Sequence, residues 1–476
     1  MIWIFIWILF LILRLPSLFE PYWYGDEGIY LTLGQGLKKG LVLYQQIHDN
    51  KPPTLYYLAA LAKTVFGFRL LLLVVMIPTI YLFYRLSQKF LSDKLAKTST
   101  FIFVILSSLP FIEGNIANAE NFMLLPTIAG ILLFLNSKKN IQFYLSGFLL
   151  GLAFTIKIPV FIEVFFLFFY LLVVNFSEIK KYFFKYLSQP FFLGLGFLTP
   201  ILIYLVYFYF LHAVTPFLNS ALLQNFSYLS SWSTGNQSSS ASSGGLIQRF
   251  ILLLIFLSFI AFLYFKKRIN SHFFLILGWF AACLFGSLLS TRPYPHYLLQ
   301  TLPPFAILIA YLFFKKSFFN KGLILISFFF LIFTIKKYNF YFYESLPYYQ
   351  NFYHHLTDFS SPDYRNYFGS RVQTTYNISD YIQQNTTPDD RIFIWGDEPY
   401  IYALSDRLPV GKYTVAYHIV DFNGYYETIS SIETNLPKLI LYFPMENRPF
   451  PNLDDILNRY YYLDQQIESV LIFQKR

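Results

Sequence analysis

The chain has 476 residues, of which 56% are hydrophobic, 22% aromatic and only 13% charged, with a formal net charge of +10. A soluble domain carries about a quarter charged residues, so one water-facing globule cannot bury this much apolar surface and the bilayer must act as its solvent. The basic excess falls in short clusters between apolar runs, which is how membrane proteins set orientation and not how a nucleic-acid-binding face is built, and a single cysteine, Cys283, excludes an internal disulfide or a cysteine metal cluster.

A helix needs about 17–25 apolar residues to cross a hydrocarbon core of about 30 Å. Runs of this kind lie at 2–18, 68–84, 98–112, 121–135, 141–156, 158–174, 190–211, 247–265, 272–290, 297–314 and 322–335. They predict a polytopic α-helical membrane protein with about eleven spans. The first run lacks a basic leading stretch and a small-residue cleavage site, so it reads as a retained span and not a removed signal. The long run 141–174 is divided at Lys157 and Pro159. A lysine at the midplane is costly and a proline two residues later breaks the hydrogen-bond ladder, so two helices are expected with Lys157 near the outer surface. With the N-terminus inside, Arg85 to Lys97, Lys138 and Lys139, Lys180 to Lys185, Lys266 to Arg268 and Lys315 to Lys321 all fall in inner loops, as the positive-inside rule requires. Merging the divided pair would turn every later cluster outward.

The first outer loop, 19–67, carries Gly25-Asp26-Glu27, Tyr30, Gly40, Tyr44 and His48-Asp49-Asn50-Lys51-Pro52-Pro53, and then an apolar helix from Thr54 to Phe66. An acidic pair is ordinarily solvated surface or the start of a helix. Just outside a first span of an acid-poor chain, Asp26 and Glu27 are candidate catalytic residues, because a carboxylate there can take the proton from an acceptor hydroxyl. Lys51 can balance a lipid phosphate as negative charge builds on it. The prolines after it start a helix able to lie along the membrane surface, holding Lys51 at headgroup depth.

Glu113 and Glu120 stand in and after the next outer loop, where Glu120 would in any case favour the positive end of a helix dipole. Lys157 is either a snorkelling interfacial lysine or a substrate contact. A Ser- and Gly-rich stretch at 227–245, within the outer loop 213–246, has little to pack and is free to fold over substrate. Arg292-Pro-Tyr-Pro-His296-Tyr297 follows on the outer side; Arg292 and His296 are suited to stabilising a leaving phosphate, and Tyr297 is also an ordinary interfacial anchor. His48, Asp49, Asp26, Glu120 and His296 could supply ligands to a divalent metal ion, but no spacing matches a recognised site. From about 338 the tail alternates short apolar runs (391–395, 438–443, 470–473) with amphipathic pieces (374–385, 425–435, 452–460). A small extracytoplasmic α/β domain over 338–476, behind a transmembrane domain over 1–337, is the expected organisation.

The ordered set Arg14, Asp26, Glu27, Tyr30, Gly40, Tyr44, Asp49, Lys51, Pro52 and Pro53 resembles the protein O-mannosyltransferase and aminoarabinose transferase group of bacterial membrane glycosyltransferases, within the glycosyltransferase C superfold. The resemblance implies an inverting transfer of sugar from a polyprenyl-phosphate donor to a protein, lipid or glycan acceptor at the outer face of the plasma membrane. It implies Asp26 as catalytic base and a donor site that includes Asp49, Lys51, Glu120, Lys157, His296 and Tyr297, to which Arg292 is added for its chemistry beside a phosphate. Asn50 stands where the aminoarabinose branch has a glutamate, which weakens a metal role carried from that branch. The rival reading is a transporter or flippase, which would carry its ionisable groups at midplane, often in two related halves.

Overall fold

The computed structural model of the protein describes residues 2–179, 181–225, 244–290, 292–313, 318–444 and 448–476. The Ser-rich stretch at 227–245 lies outside them apart from its last two residues. Among the described residues, six helices are long and apolar enough to cross a membrane: Ile2–Phe19, Val65–Ser87, Ala119–Asn136, Phe183–Phe210, Gly245–Phe265 and Phe318–Lys337. Shorter apolar helices occupy Asn140–Phe154, Val160–Val174, Val214–Leu223 and Ser271–Ser287. Helices also cover the remaining expected runs, at Asp93–Ser108 and at Leu302–Leu312. The run from 141 to 174 is broken where expected, its first helix ending at Phe154 and its second beginning at Val160.

The chain divides into two compact units. The first comprises 1–15, 72–207 and 223–345 and is built of apolar helices. Within it Ile2–Arg14 and Leu302–Leu312 both pack on Asp93–Ser108, Ala119–Asn136 packs on Asn140–Phe154, and Val160–Val174 packs on Ser271–Ser287. Buried Arg14 donates from Nη2 to the carbonyl of Ser107 at 2.7 Å.

The second unit comprises 16–71, 208–222 and 346–476. Its centre is a sheet of strands β1 (Arg391–Trp395), β2 (Leu408–Pro409), β3 (Leu439–Tyr442), β4 (Tyr461–Ile467) and β5 (Val470–Lys475), in the order β2-β1-β3-β5-β4. Strands β2, β1 and β3 are parallel, and β5 runs antiparallel to both β3 and β4. Successive side chains of a strand face opposite ways. Ile392 and Ile394 therefore join a core with Ile378, Ile382 and Leu441, while Phe393 and Trp395 join another with Ile440, Ile432 and Phe450.

The same unit holds the acidic loop of the sequence. Gly25–Lys38 is a helix and packs on both Thr54–Ala62 and Tyr400–Ser405. Two glycines allow that approach: a Cβ on Gly28 would lie 2.7 Å from the backbone nitrogen of Tyr400, and one on Gly34 would lie 2.6 Å from that of Ala60. Polar ties add to the packing. The Thr32 hydroxyl donates to the carbonyl of Pro399 at 3.0 Å, Gln35 donates to that of Ala403 at 2.7 Å, and the backbone N–H of His48 donates to Lys412 at 2.8 Å.

Candidate active site

Asp26 and Glu27 occupy the first turn of the Gly25–Lys38 helix, where the helix dipole favours negative charge. Successive helix positions point about 100° apart, and the two carboxylates go to different surroundings. Glu27 is buried and meets Arg69 through two bonds, Nε to Oε1 at 2.9 Å and Nη2 to Oε2 at 2.6 Å. Arg69 also reaches Glu20 at 2.6 Å and the carbonyl of Ser17 at 2.9 Å, while Tyr348 and Trp23 donate to Glu20 at 2.6 and 2.7 Å. This is a dry, paired charge cluster that anchors the helix.

Asp26 turns to Lys51. The ammonium stands 3.4 Å from Asp26 Oδ2 and 3.8 Å from Asp49 Oδ2, and 5.0 Å from the centroid of the Tyr30 ring. The Tyr30 hydroxyl, one helical turn along, donates to Asp26 at 2.9 Å. Of these three ionic side chains, Asp26 is 29% exposed, Lys51 16% and Asp49 1%. Asp26 is thus the most exposed of the three.

Asp49 is held from several directions. Tyr56 donates to its Oδ2 at 2.7 Å, the Asn50 backbone N–H donates to Oδ1 at 2.8 Å, and His418 Nε2 lies 3.5 Å from Oδ1. Burial opposes ionisation, but Lys51, His418 and the Tyr56 hydroxyl outweigh it and hold this carboxyl below the usual carboxylate range. The Lys51 backbone is fixed too: its N–H donates to the Tyr56 oxygen at 3.1 Å and its carbonyl accepts from the Tyr44 hydroxyl at 2.7 Å. His48 points away from the ion pair. Its Nδ1 lies 3.2 Å from the Ser220 hydroxyl, and burial, with His418 adding to it, pushes its pKa down to about 3.

The apolar unit gathers a second group. The Asn118 side chain caps the Ala119–Asn136 helix by accepting from the Asn121 N–H at 3.1 Å, which leaves Glu120 to other partners. Lys157, in the break between two helices, stands 2.7 Å from Glu120 Oε1 and 4.9 Å from the Tyr297 ring centroid. His296 contacts Glu113 through Nδ1, and its Nε2 lies 3.9 Å from Glu120. Burial opposes charge on His296, yet the two carboxylates prevail and raise its pKa above the ordinary histidine value. Four scattered sequence candidates, Glu120, Lys157, His296 and Tyr297, therefore meet, with Glu113 as a fifth. Arg292 lies in the same short segment, partly exposed.

Neither group presents a metal-ligand set. In each a lysine ammonium already stands against the carboxylates, Lys51 beside Asp26 and Asp49, and Lys157 beside Glu120. Among the described residues no three His, Cys, Asp or Glu side chains are grouped to hold a metal ion. His418, Tyr56 and Ser220 escaped the sequence reading. Tyr56 and Tyr57 do interrupt an otherwise apolar helix start, which is a weak signal, but a lone histidine in the tail gives none.

No protein-family model matches the chain, and no curated protein matches it. Solved structures do. ArnT from Cupriavidus metallidurans, in a crystal structure with undecaprenyl phosphate, is similar over 99% of this chain and 97% of that one, at 11% identity and a TM-score of 0.58. An Archaeoglobus fulgidus oligosaccharyltransferase tethered to an acceptor peptide is similar over 92% of this chain and 69% of that one, at 10% identity and a TM-score of 0.43. The likeness to ArnT shows the fold alone: this chain shares the architecture of that structure, and among its described residues six helices are long and apolar enough to cross a membrane.

Proposed function

We propose that the protein is an inverting glycosyltransferase that takes a sugar from a polyprenyl-phosphate donor and passes it to an acceptor hydroxyl at the outer face of the membrane. The observation that carries this reading is the 3.4 Å pairing of a partly open Asp26 with Lys51, backed by buried Asp49. An ionised carboxylate next to an ammonium is what the displacement needs at its two ends. Asp26 accepts the proton of the acceptor hydroxyl as its oxygen bonds to the anomeric carbon. The bond from that carbon to the phosphate oxygen breaks, and Lys51 balances the charge on the departing prenyl phosphate. Attack opposite the leaving group inverts the anomeric centre. Asp49 holds Lys51 in position, and Glu27 serves by fixing the helix that bears Asp26. Lys157, His296, Glu120, Tyr297 and Arg292 belong to donor binding on this reading, and the tail faces the extracytoplasmic side.

Purified protein in liposomes with a radiolabelled polyprenyl-phosphate sugar tests the class of activity. Transfer is expected to release free prenyl phosphate and to leave the label on a new acceptor. Movement of intact donor between leaflets without cleavage would make the protein a transporter instead.

A further inference from the structure

The helix Val160–Val174 carries one charged residue, Glu163, and its carboxyl is buried. A carboxyl on so apolar a helix is costly unless its oxygens are hydrogen-bonded. Both oxygens are. Oε2 accepts from the Trp279 indole N–H at 2.5 Å and Oε1 from the Gln300 amide at 2.7 Å, and both donors are themselves buried. Trp279 belongs to the helix Ser271–Ser287, which packs on Val160–Val174. Gln300 belongs to a 3-10 segment, Pro295–Thr301, that also bears His296 and Tyr297. Gly286 leaves space for the Gln300 amide, since a Cβ there would lie 3.0 Å from its oxygen.

The 3-10 segment gains little from its own backbone. Its hydrogen bonds are poorer than those of an α-helix, and Pro303 and Pro304 have no N–H with which to extend the following helix back into it. Side chains grip it instead. His296 contacts Glu113, the Ser287 hydroxyl donates to the Tyr297 carbonyl at 2.7 Å, and Gln300 donates to Glu163. The last of these ties the segment to the helix that starts at Val160, just after Lys157. Resting on the assignment of Lys157, His296 and Tyr297 to donor binding, we infer that Glu163 is a positioning residue: through its bond to Gln300 it fixes His296 and Tyr297 relative to Lys157, so that the groups offered to the prenyl phosphate stay together.

Titration of the full-length protein with polyprenyl phosphate tests this. Gln300→Met keeps the side-chain length, cannot donate, and leaves the carboxyl bonded to Trp279. It is expected to weaken binding about 10-fold. Glu163→Gln is expected to do the same, because its amide nitrogen must face one of the two N–H donors. Exchanging the pair, Glu163→Gln with Gln300→Glu, lets the amide accept from Trp279 and donate to the new carboxylate, and is expected to restore wild-type binding. Trp279→Phe removes the other bond but leaves Gln300 its acceptor, so it is expected to bind as the wild type does. If Glu163→Gln does not fold, Gln300→Met carries the test. Wild-type affinity in folded Gln300→Met, an equal loss in Trp279→Phe, or no recovery in the folded exchanged protein overturns the inference. The two readings fail differently. A wild-type protein that does not bind polyprenyl phosphate removes the donor-site assignment and this inference with it, whereas equal binding by wild type and Gln300→Met removes only the role of Glu163.

Discussion

A general base must be ionised beforehand and reachable by the proton it takes. On the proposed mechanism that base is Asp26, with 29% of its side chain exposed and Lys51 beside it, whereas the neighbouring Glu27 is sealed at 1% against Arg69. Removing one partner of a buried pair leaves the other uncompensated, at about 3–5 kcal/mol. Glu27→Gln is therefore expected to lower thermal stability in detergent strongly, while the protein that remains folded keeps its KM for donor. Lys51→Met should act at the chemistry, cutting kcat of the folded protein by about 100-fold or more, as steady-state transfer kinetics would show. His296 has its own pH signature. Its pKa is raised, so its charge persists above the ordinary histidine range and is lost as pH rises through the folded value. Binding of polyprenyl phosphate, measured by titration, should weaken as pH rises through that raised value, and His296→Gln should abolish the dependence.

The helices that hold these residues explain how much the sequence could tell. Periodicity and breakers are local, so the divided run at Lys157, the strands at 391–395 and 470–473 and the helix over 374–385 stand where the apolar pattern predicts them. Strand β4 escaped because Tyr461–Ile467 is a largely exposed edge with polar side chains, and its pairing with β5 supplies what its composition does not. The association of the Gly25–Lys38 helix with Tyr400–Ser405 escaped for a different reason, since it joins segments nearly 370 positions apart. Lys51 near Asp26 was legible from ordered motifs. The separation of Glu27 from that pair, and the arrival of His418, are tertiary facts with no local signal. Gly28 tests the helix contact directly. A side chain there meets backbone at 2.7 Å, so Gly28→Val should cost about 1–3 kcal/mol or more by overpacking, read as a lowered unfolding temperature.

At the scale of the whole molecule, the bilayer explains what would otherwise be an untenable surface. In three of the long apolar helices, Ile2–Phe19, Phe183–Phe210 and Gly245–Phe265, only 28% of the most apolar 18-residue stretch is buried, and exposed apolar area of that extent is stable against lipid and not against water. The proposed outward placement of the tail rests on the lysine clusters and is open to labelling. With Cys283 replaced by alanine, a cysteine substituted for Tyr426, which is 87% exposed, should react with a membrane-impermeant maleimide added to intact cells. The central claim, that a carboxylate at the start of the Gly25–Lys38 helix draws the proton from the acceptor, is tested most directly by sugar transfer from labelled polyprenyl phosphate in liposomes carrying Asp26→Asn. The account predicts a fall in kcat of about 100-fold or more in a protein whose unfolding temperature matches the wild type. Transfer at the wild-type rate by that folded variant would contradict it.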